Sequence, residues 1–230
     1  LNLNSKRDFL YLLLGGLFVT NAILGEVIGS KLILVGPYIA TIGVIPWPFV
    51  FLTTDLINEY FGKPGVRRLT FMTVGLILYA FLILFVSMQI PAAPISPVKD
   101  DAFNAVFGQS LWIIAGSVTA FLVSQLVDVF VFWMFRHQTG GKHLWLRATG
   151  STAISQLIDT FIVQGIAFWL PGKLSTNAFV EVALTSYIYK FAIAVSLTPV
   201  IYAAHGAIDR YLGRDESEAL IAEAAGGAKA

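Results

Sequence analysis

Cysteine is absent from the 230 residues, which removes disulfides, thiolate metal sites and cysteine nucleophiles. Charge is scarce as well: Asp, Glu, Lys and Arg make up 13% of the chain, against about a quarter in a soluble domain. The histidines, His137, His143 and His205, show no H-E-x-x-H or related ligand spacing, so a metal site is not expected. No glycine-rich phosphate loop ends in a Walker-type lysine, so ATP-derived energy would have to come through another subunit, and no cofactor is called for. A G-x-S-x-G nucleophile motif is missing too. With a net charge of +1 and no basic stripe, nothing points to nucleic acid.

Apolar residues are what the chain has in quantity, at 57% with a mean hydropathy of +0.75. A spanning helix needs about 20 mainly apolar residues. Six segments meet that, at approximately 9–30, 38–60, 69–90, 111–135, 146–170 and 179–205. The expectation is an all-α integral membrane protein with six transmembrane helices in one domain, 1–212, and a polar, disordered cytoplasmic tail, 213–230. The first apolar run lacks a small-residue cleavage site and is expected to remain as a span. The breaks carry turn chemistry: Gly62 to Gly65, a proline-rich stretch from Pro91 to Pro97, Thr139 to Lys142, and Pro171 to Lys173. Asp100 is placed to cap a short interfacial helix, 101–107.

Ten basic residues (Lys6, Arg7, Lys63, Arg67, Arg68, Arg136, Lys142, Arg147, Arg210 and Arg214) fall on one side of this topology, and three (Lys31, Lys99 and Lys173) on the other. Cytoplasmic loops hold the excess of Lys and Arg, so both termini are expected inside. Trp112 and Trp169 would then mark the outer interface, and Trp133 and Trp145 the inner one.

Against this apolar background the segments SQLVDVFVF (124–132) and SQLIDTFIV (155–163) each bury a carboxylate and an amide. Gln125 with Asp128, and Gln156 with Asp159, are three residues apart and share a helix face. Ser117 and Ser124 extend one stripe; Thr152 and Ser155 extend the other. Each aspartate costs on the order of 3 kcal/mol to insert as an ion, which makes a functional role or a buried partner the default. Polar stripes can simply join two helices, but two carboxylates repel unless a proton or a cation stands between them. Lys190, in the sixth span, is a candidate cation. Depth assigns Asp159, near the midplane, to a ligand, and Asp128, nearer the cytoplasm, to Lys190 or to a gate.

The second span contains PWPFVFLTTDLINEYFG (46–62). Pro46 and Pro48 would release the carbonyls of Ile42 and Val44, and discontinuous helices of this kind line transporter sites. Trp47 is then too deep for an interfacial belt and is either a stacking platform or a packed core residue. Asp55 and Glu59 share a face with Asn58 beside them, and a salt-bridge cluster with Arg67 and Arg68 would fix the loop. In the first span, Asn21 falls near the middle, whereas Glu26 is an outer gate or a partner for Lys31. Two intramembrane aspartates also suit an aspartyl intramembrane hydrolase, although the Gly-x-Gly-Asp signature of that class is missing. A transporter for a vitamin or nucleobase and a structural membrane subunit are the other readings.

The run FLTTDLINEYFGKPGVRR (51–68), the paired S-Q-L-x-D segments, LWLRATGSTAISQLIDT (144–160) and the stretch 190–199 resemble the VUT family of queuosine precursor transporters. The most specific element is D-x-I-N-E-x-F-G-K, here Asp55, Ile57, Asn58, Glu59, Phe61, Gly62 and Lys63; Phe61 stands where the family usually has Tyr. The resemblance implies a six-helix protein of the bacterial inner membrane, similar to the substrate-binding components of energy-coupling-factor transporters, that imports 7-cyano- and 7-aminomethyl-7-deazaguanine. It leaves open a homodimer and an energising subunit. A guanine-like edge sets an N–H beside an amino group, which one carboxylate accepts as a bidentate pair. Gln125 or Gln156 would serve the neighbouring carbonyl, with Trp47 on the ring face. The substrate-binding candidates are thus Asp159, Asp128, Gln125, Gln156, Trp47, Asn21, Lys190 and Asp55.

Overall fold

The computed structural model describes residues 5–29, 31–35, 38–108, 111–139 and 144–226. It is helical apart from one hairpin. Helix α1 spans Lys6–Ile28, and strands β1 (Leu32–Val35) and β2 (Tyr38–Thr41) pair antiparallel with Leu32 opposite Thr41. A 3-10 turn, Ile42–Val44, leads into α2, Pro46–Met88. Then come α3 (Asp100–Phe107), α4 (Leu111–Thr139), α5 (Leu144–Gln164) with a π turn at Gly165–Trp169, α6 (Thr176–Ser196), α7 (Thr198–Leu212) and α8 (Arg214–Gly226). Four helices are long and apolar enough to cross a membrane, among the described residues: α1, α2, α4 and α6.

Helix α1 packs along α2, and α4 along α5. The buried face of α1 is a row at four-residue spacing, Leu10, Leu14, Phe18, Ala22 and then Glu26. Its counterpart on α2 is Val50, Ile57, Tyr60, Val66 and Leu69. Most large apolar side chains on the outer faces, such as Leu12, Leu82, Phe85 and Phe130, are exposed, which is the pattern of a bundle solvated by lipid rather than water.

Several expectations are corrected. The second span does not run helically from residue 38: residues 38–41 form β2, and Pro46 opens α2 at its first turn, where a missing N–H costs nothing. The prolines therefore start a helix instead of kinking one. The break at Gly62 to Gly65 is compressed into a kink at Gly62, whose φ of 67° and ψ of −175° interrupt α2. Only glycine adopts that backbone readily, and a Cβ there would also stand 3.2 Å from the Ala224 carbonyl oxygen. The sixth segment breaks at Leu197, because Thr198 and Pro199 begin α7. Trp133 is 1% exposed, so it belongs to the core rather than to an interfacial belt. The tail is not disordered over 214–226: it forms α8, which packs on α2 and α7 and buries Ser217, Leu220 and Ala224. Asp100 caps differently from expected, its carboxylate accepting the backbone N–H of Ala92 at 2.9 Å. The turn residues 140–143, with Lys142 and His143, and the side chains of Trp112 and Arg147 lie outside the described residues.

Candidate functional site

Three helices bring their polar faces together. On α2, Thr54 and Asn58 lie four residues apart and are each 0% exposed. Thr54 donates to Gln125 Oε1 of α4 at 3.2 Å. One turn on, the Asp128 Oδ1 accepts from Ser155 of α5 at 2.9 Å, with the Ser151 hydroxyl alongside; Ser151 itself donates to its own helix at Ala148. Ser124 of α4 donates to Asp159 Oδ1 of α5 at 3.5 Å. Both S-Q-L-x-D segments thus face each other and exchange serine-to-aspartate hydrogen bonds across the α4–α5 interface.

The cation is placed differently from the depth argument. Lys190 Nζ of α6 meets Asp159 Oδ2 at 2.9 Å, so Asp159, not Asp128, holds the lysine. A serine on one oxygen and a lysine on the other engage both oxygens of Asp159.

That leaves an informative remainder. Buried polar atoms with no hydrogen-bond partner among the described residues include Asn58 Oδ1 and Nδ2, Gln125 Nε2, Asp128 Oδ2 and Gln156 Oε1. Buried polar groups are ordinarily paired, and each unpaired one costs about 1 to 3 kcal/mol. An amide with both ends unpaired, a second amide with a spare donor and a carboxylate with a spare acceptor are hydrogen-bonding capacity left unused inside the bundle. Beside them, a cavity of about 30 Å³ is bounded by residues including Asp55, Thr149, Thr152 and Thr198. That is room for about one water.

The other candidates are distributed around this centre. Asp55 is buried and lines the small cavity. Trp47 is half-buried, with ring centroids 5.8 Å from Phe121 and 6.5 Å from Phe51. Its indole nitrogen would lie 3.1 Å from a Cβ on Gly25 of α1, so a larger residue there would have to displace the indole by a few tenths of an ångström. Asn21 is not joined to the cluster: its amide donates back to Leu17 of its own helix at 2.8 Å. Glu26 is the α1 residue that is joined, through a hydrogen bond from Ser117 and electrostatic contact with Asp159 and Lys190. Glu59 meets Arg136 of α4 at 3.4 Å, a partner far along the chain from the expected Arg67 and Arg68. Glu26 and Asn58 were underweighted by the sequence reading, yet both continue a four-residue row of buried positions on their own helices.

A family model described as "Putative vitamin uptake transporter" matches residues 41–204. The chain belongs to that family. As a VUT-family member it is 33% identical over 167 residues to the "Probable queuosine precursor transporter" of Bacillus subtilis (strain 168), covering 72% of this chain and 71% of the relative. It is 31% identical to the "Queuosine precursor transporter" of Escherichia coli (strain K12), covering 67% of each. No solved structure matches it. The VUT assignment makes the chain a multi-pass membrane transporter and not an enzyme, which removes the aspartyl hydrolase reading. The matched segment contains Trp47, Asp55, Asn58, Gln125, Asp128, Gln156, Asp159 and Lys190, whereas Asn21, Glu26 and α8 lie outside it.

Proposed function

We propose that this chain imports queuosine precursors, 7-deazaguanine bases, across a bacterial cytoplasmic membrane and binds the base between α2, α4 and α5. The 43 residues of α2 extend about 65 Å at 1.5 Å per residue, twice the hydrocarbon thickness. Counting α2 as two passes on either side of Gly62, with α1, α4, α5 and α6, makes six. The excess of basic residues on one side then puts both termini in the cytoplasm.

The observation that carries the substrate class is the set of unpaired buried atoms. A guanine-type edge offers two adjacent donors, which suit the Asp128 carboxylate, whose Oδ2 is unpaired and whose Oδ1 keeps a lone pair beside Ser155, and a carbonyl, which suits Gln125 Nε2. Asn58 and Gln156 supply further donors and acceptors at the rim of the ring. Because Lys190 and Ser124 occupy Asp159, the reader of the edge is Asp128, the reverse of the assignment made from depth. Trp47, with Phe121, flanks the site as an aromatic wall.

The test is a calorimetric titration of purified protein with 7-cyano-7-deazaguanine, 7-aminomethyl-7-deazaguanine and 7-cyano-7-deazaadenine, which keeps the ring and the cyano group but lacks the guanine edge. Binding of the first two without the third supports the reading; equal affinity for all three contradicts it. Topology is checked by impermeant thiol labelling of Ile95→Cys and Ala219→Cys in intact cells, both positions being exposed. The first is expected to label from outside and the second not; the opposite pattern inverts the topology.

A further inference from the structure

Glu26, Asp159 and Lys190 come from α1, α5 and α6, and together they form a second charged group beside the base site. Lys190 and Asp159 are in direct contact at 2.9 Å. Glu26, 3% exposed, receives a hydrogen bond from Ser117 of α4 and interacts electrostatically with both members of the pair. Packed against the neighbouring Gly25 from α2 are Pro46 and Trp47, which bring no charge. Lys31, beyond the end of α1, is exposed.

Two carboxylates and one ammonium carry a net charge of −1 in a space from which water is nearly excluded. Such an excess is expensive at membrane depth and is relieved by one proton. The Lys190 ammonium already neutralises Asp159 across a direct contact, so the proton belongs on Glu26. The position also provides a route: Glu26 lies two residues before the end of α1, shortly before the β1–β2 hairpin, and the proposed topology makes that end the outer one.

We propose that Glu26 is the proton site that couples import of the base to the inward proton gradient. A proton from external water binds a Glu26 carboxylate oxygen, which makes the Glu26–Asp159–Lys190 cluster neutral. The neutral cluster crosses the reorientation step, and the proton leaves to cytoplasmic water with no other bond made or broken. Asp159 connects the two sites, since it holds Lys190 on one side and Ser124, next to Gln125, on the other. The inference rests on the transport reading and adds its driving force.

Full-length protein reconstituted in proteoliposomes tests it, with labelled 7-cyano-7-deazaguanine outside. One proton per neutral base under a one-unit inward pH gradient sets an accumulation of about tenfold. Wild type is expected to approach that ratio, and Glu26→Asp to retain it in part. Glu26→Gln, neutral at every pH, is expected to keep base-for-base exchange yet only equilibrate the base, at a ratio of about one. Accumulation by Glu26→Gln equal to wild type, or none by a wild type that binds and exchanges the base, overturns the proposal. A readout independent of substrate accompanies it: infrared difference spectra on acidifying the reconstituted protein. A protonated-carboxyl band that appears in wild type and is missing in Glu26→Gln supports the proton site. Identical spectra overturn it, even for a chain that binds no deazaguanine.

Discussion

The middle of the bundle and the end that carries α8 both bury polar side chains and treat them in different ways. At the α8 end, Arg136 contacts Glu59 at 3.4 Å, donates to the Ile221 carbonyl of α8 at 3.1 Å and lies 4.8 Å from the Trp133 ring centre. Asp209 accepts from Tyr60 at 2.9 Å and from Ser217, with the His205 ring at 3.1 Å. Arg7 grips Glu223 with two hydrogen bonds. Three of these contacts, Arg136 to Ile221, Tyr60 to Asp209 and Arg7 to Glu223, tie α8 or α7 to the body of the bundle. The cavity there is the larger, about 400 Å³ and lined by Arg7, Tyr11, Tyr60, Arg68 and Glu223 among others, yet Arg7 and Glu223 hold each other, Tyr60 holds Asp209 and Tyr11 donates to the Gly65 carbonyl. In the middle, Asn58, Gln125, Asp128 and Gln156 keep atoms unpaired. On the proposed reading, a site is told from a joint by unspent hydrogen-bonding capacity and not by size of cavity.

The contrast can be broken first at its strongest joint. Arg136→Met leaves Glu59 buried without its guanidinium, and removing one member of a buried pair costs about 3 to 5 kcal/mol. The expected result is a large fall in thermal midpoint in detergent; an unchanged midpoint would mean that the α8 end is no tighter than the middle. Gly62→Ala comes next, at about 1 to 3 kcal/mol for a side chain in a glycine-only backbone region, with the Ala224 carbonyl in the way. Its loss should appear as faster proteolysis of α8, whereas the same change at the open, helical Gly75 should have much less effect.

A smaller effect sharpens the comparison through pH. Burial alone would raise the Asp209 carboxyl, but hydrogen bonds from Ser217 and Tyr60 and the adjacent His205 outweigh it and hold Asp209 below the ordinary carboxylate range. A depressed carboxylate contributes stability in full above its unfolded value and loses it as pH falls through the folded one. Docking of α8 should therefore be complete at neutral pH and weaken only below about pH 4, and Asp209→Asn should abolish that dependence in hydrogen exchange of 214–226. The smallest effect is at Arg7, whose partner Glu223 is 63% exposed. Arg7→Ala should cost well under about 1 kcal/mol, as screened surface pairs do.

How much of this was legible in the sequence depended on whether the cause was local. Hydropathy and the doubled S-Q-L-x-D pattern placed the apolar segments and the α4–α5 polar interface, because span length and three-residue spacing are properties of one helix. Which aspartate meets Lys190 was not legible. It follows from how α6 sits against α5, and depth alone pointed to the other one. Glu59 found Arg136 rather than the nearby Arg67 and Arg68 for the same reason. The tail looked polar by composition, yet Ser217, Leu220 and Ala224 fall on one face of α8 at three- and four-residue spacing, and that pattern was in the sequence to be read. Asn58 and Glu26 were likewise on buried rows, hidden only because their neighbours had nearer charges to explain them.

The central claim is that the atoms left unpaired in the middle are the ligand's partners, with Asp128 reading its edge. Calorimetric titration of 7-cyano-7-deazaguanine into wild type and Asp128→Asn, with thermal midpoints measured alongside, tests it most directly. Asparagine turns one acceptor into a donor that opposes the ligand's own N–H groups, and loss of a charged hydrogen-bonding partner costs about 1.5 to 3 kcal/mol. The account predicts that Asp128→Asn binds at least about tenfold more weakly while its thermal midpoint in the absence of ligand is unchanged or higher. Asp128→Asn that binds like wild type, or that loses its fold with its affinity, would make the doubled motif a joint between helices and contradict the account.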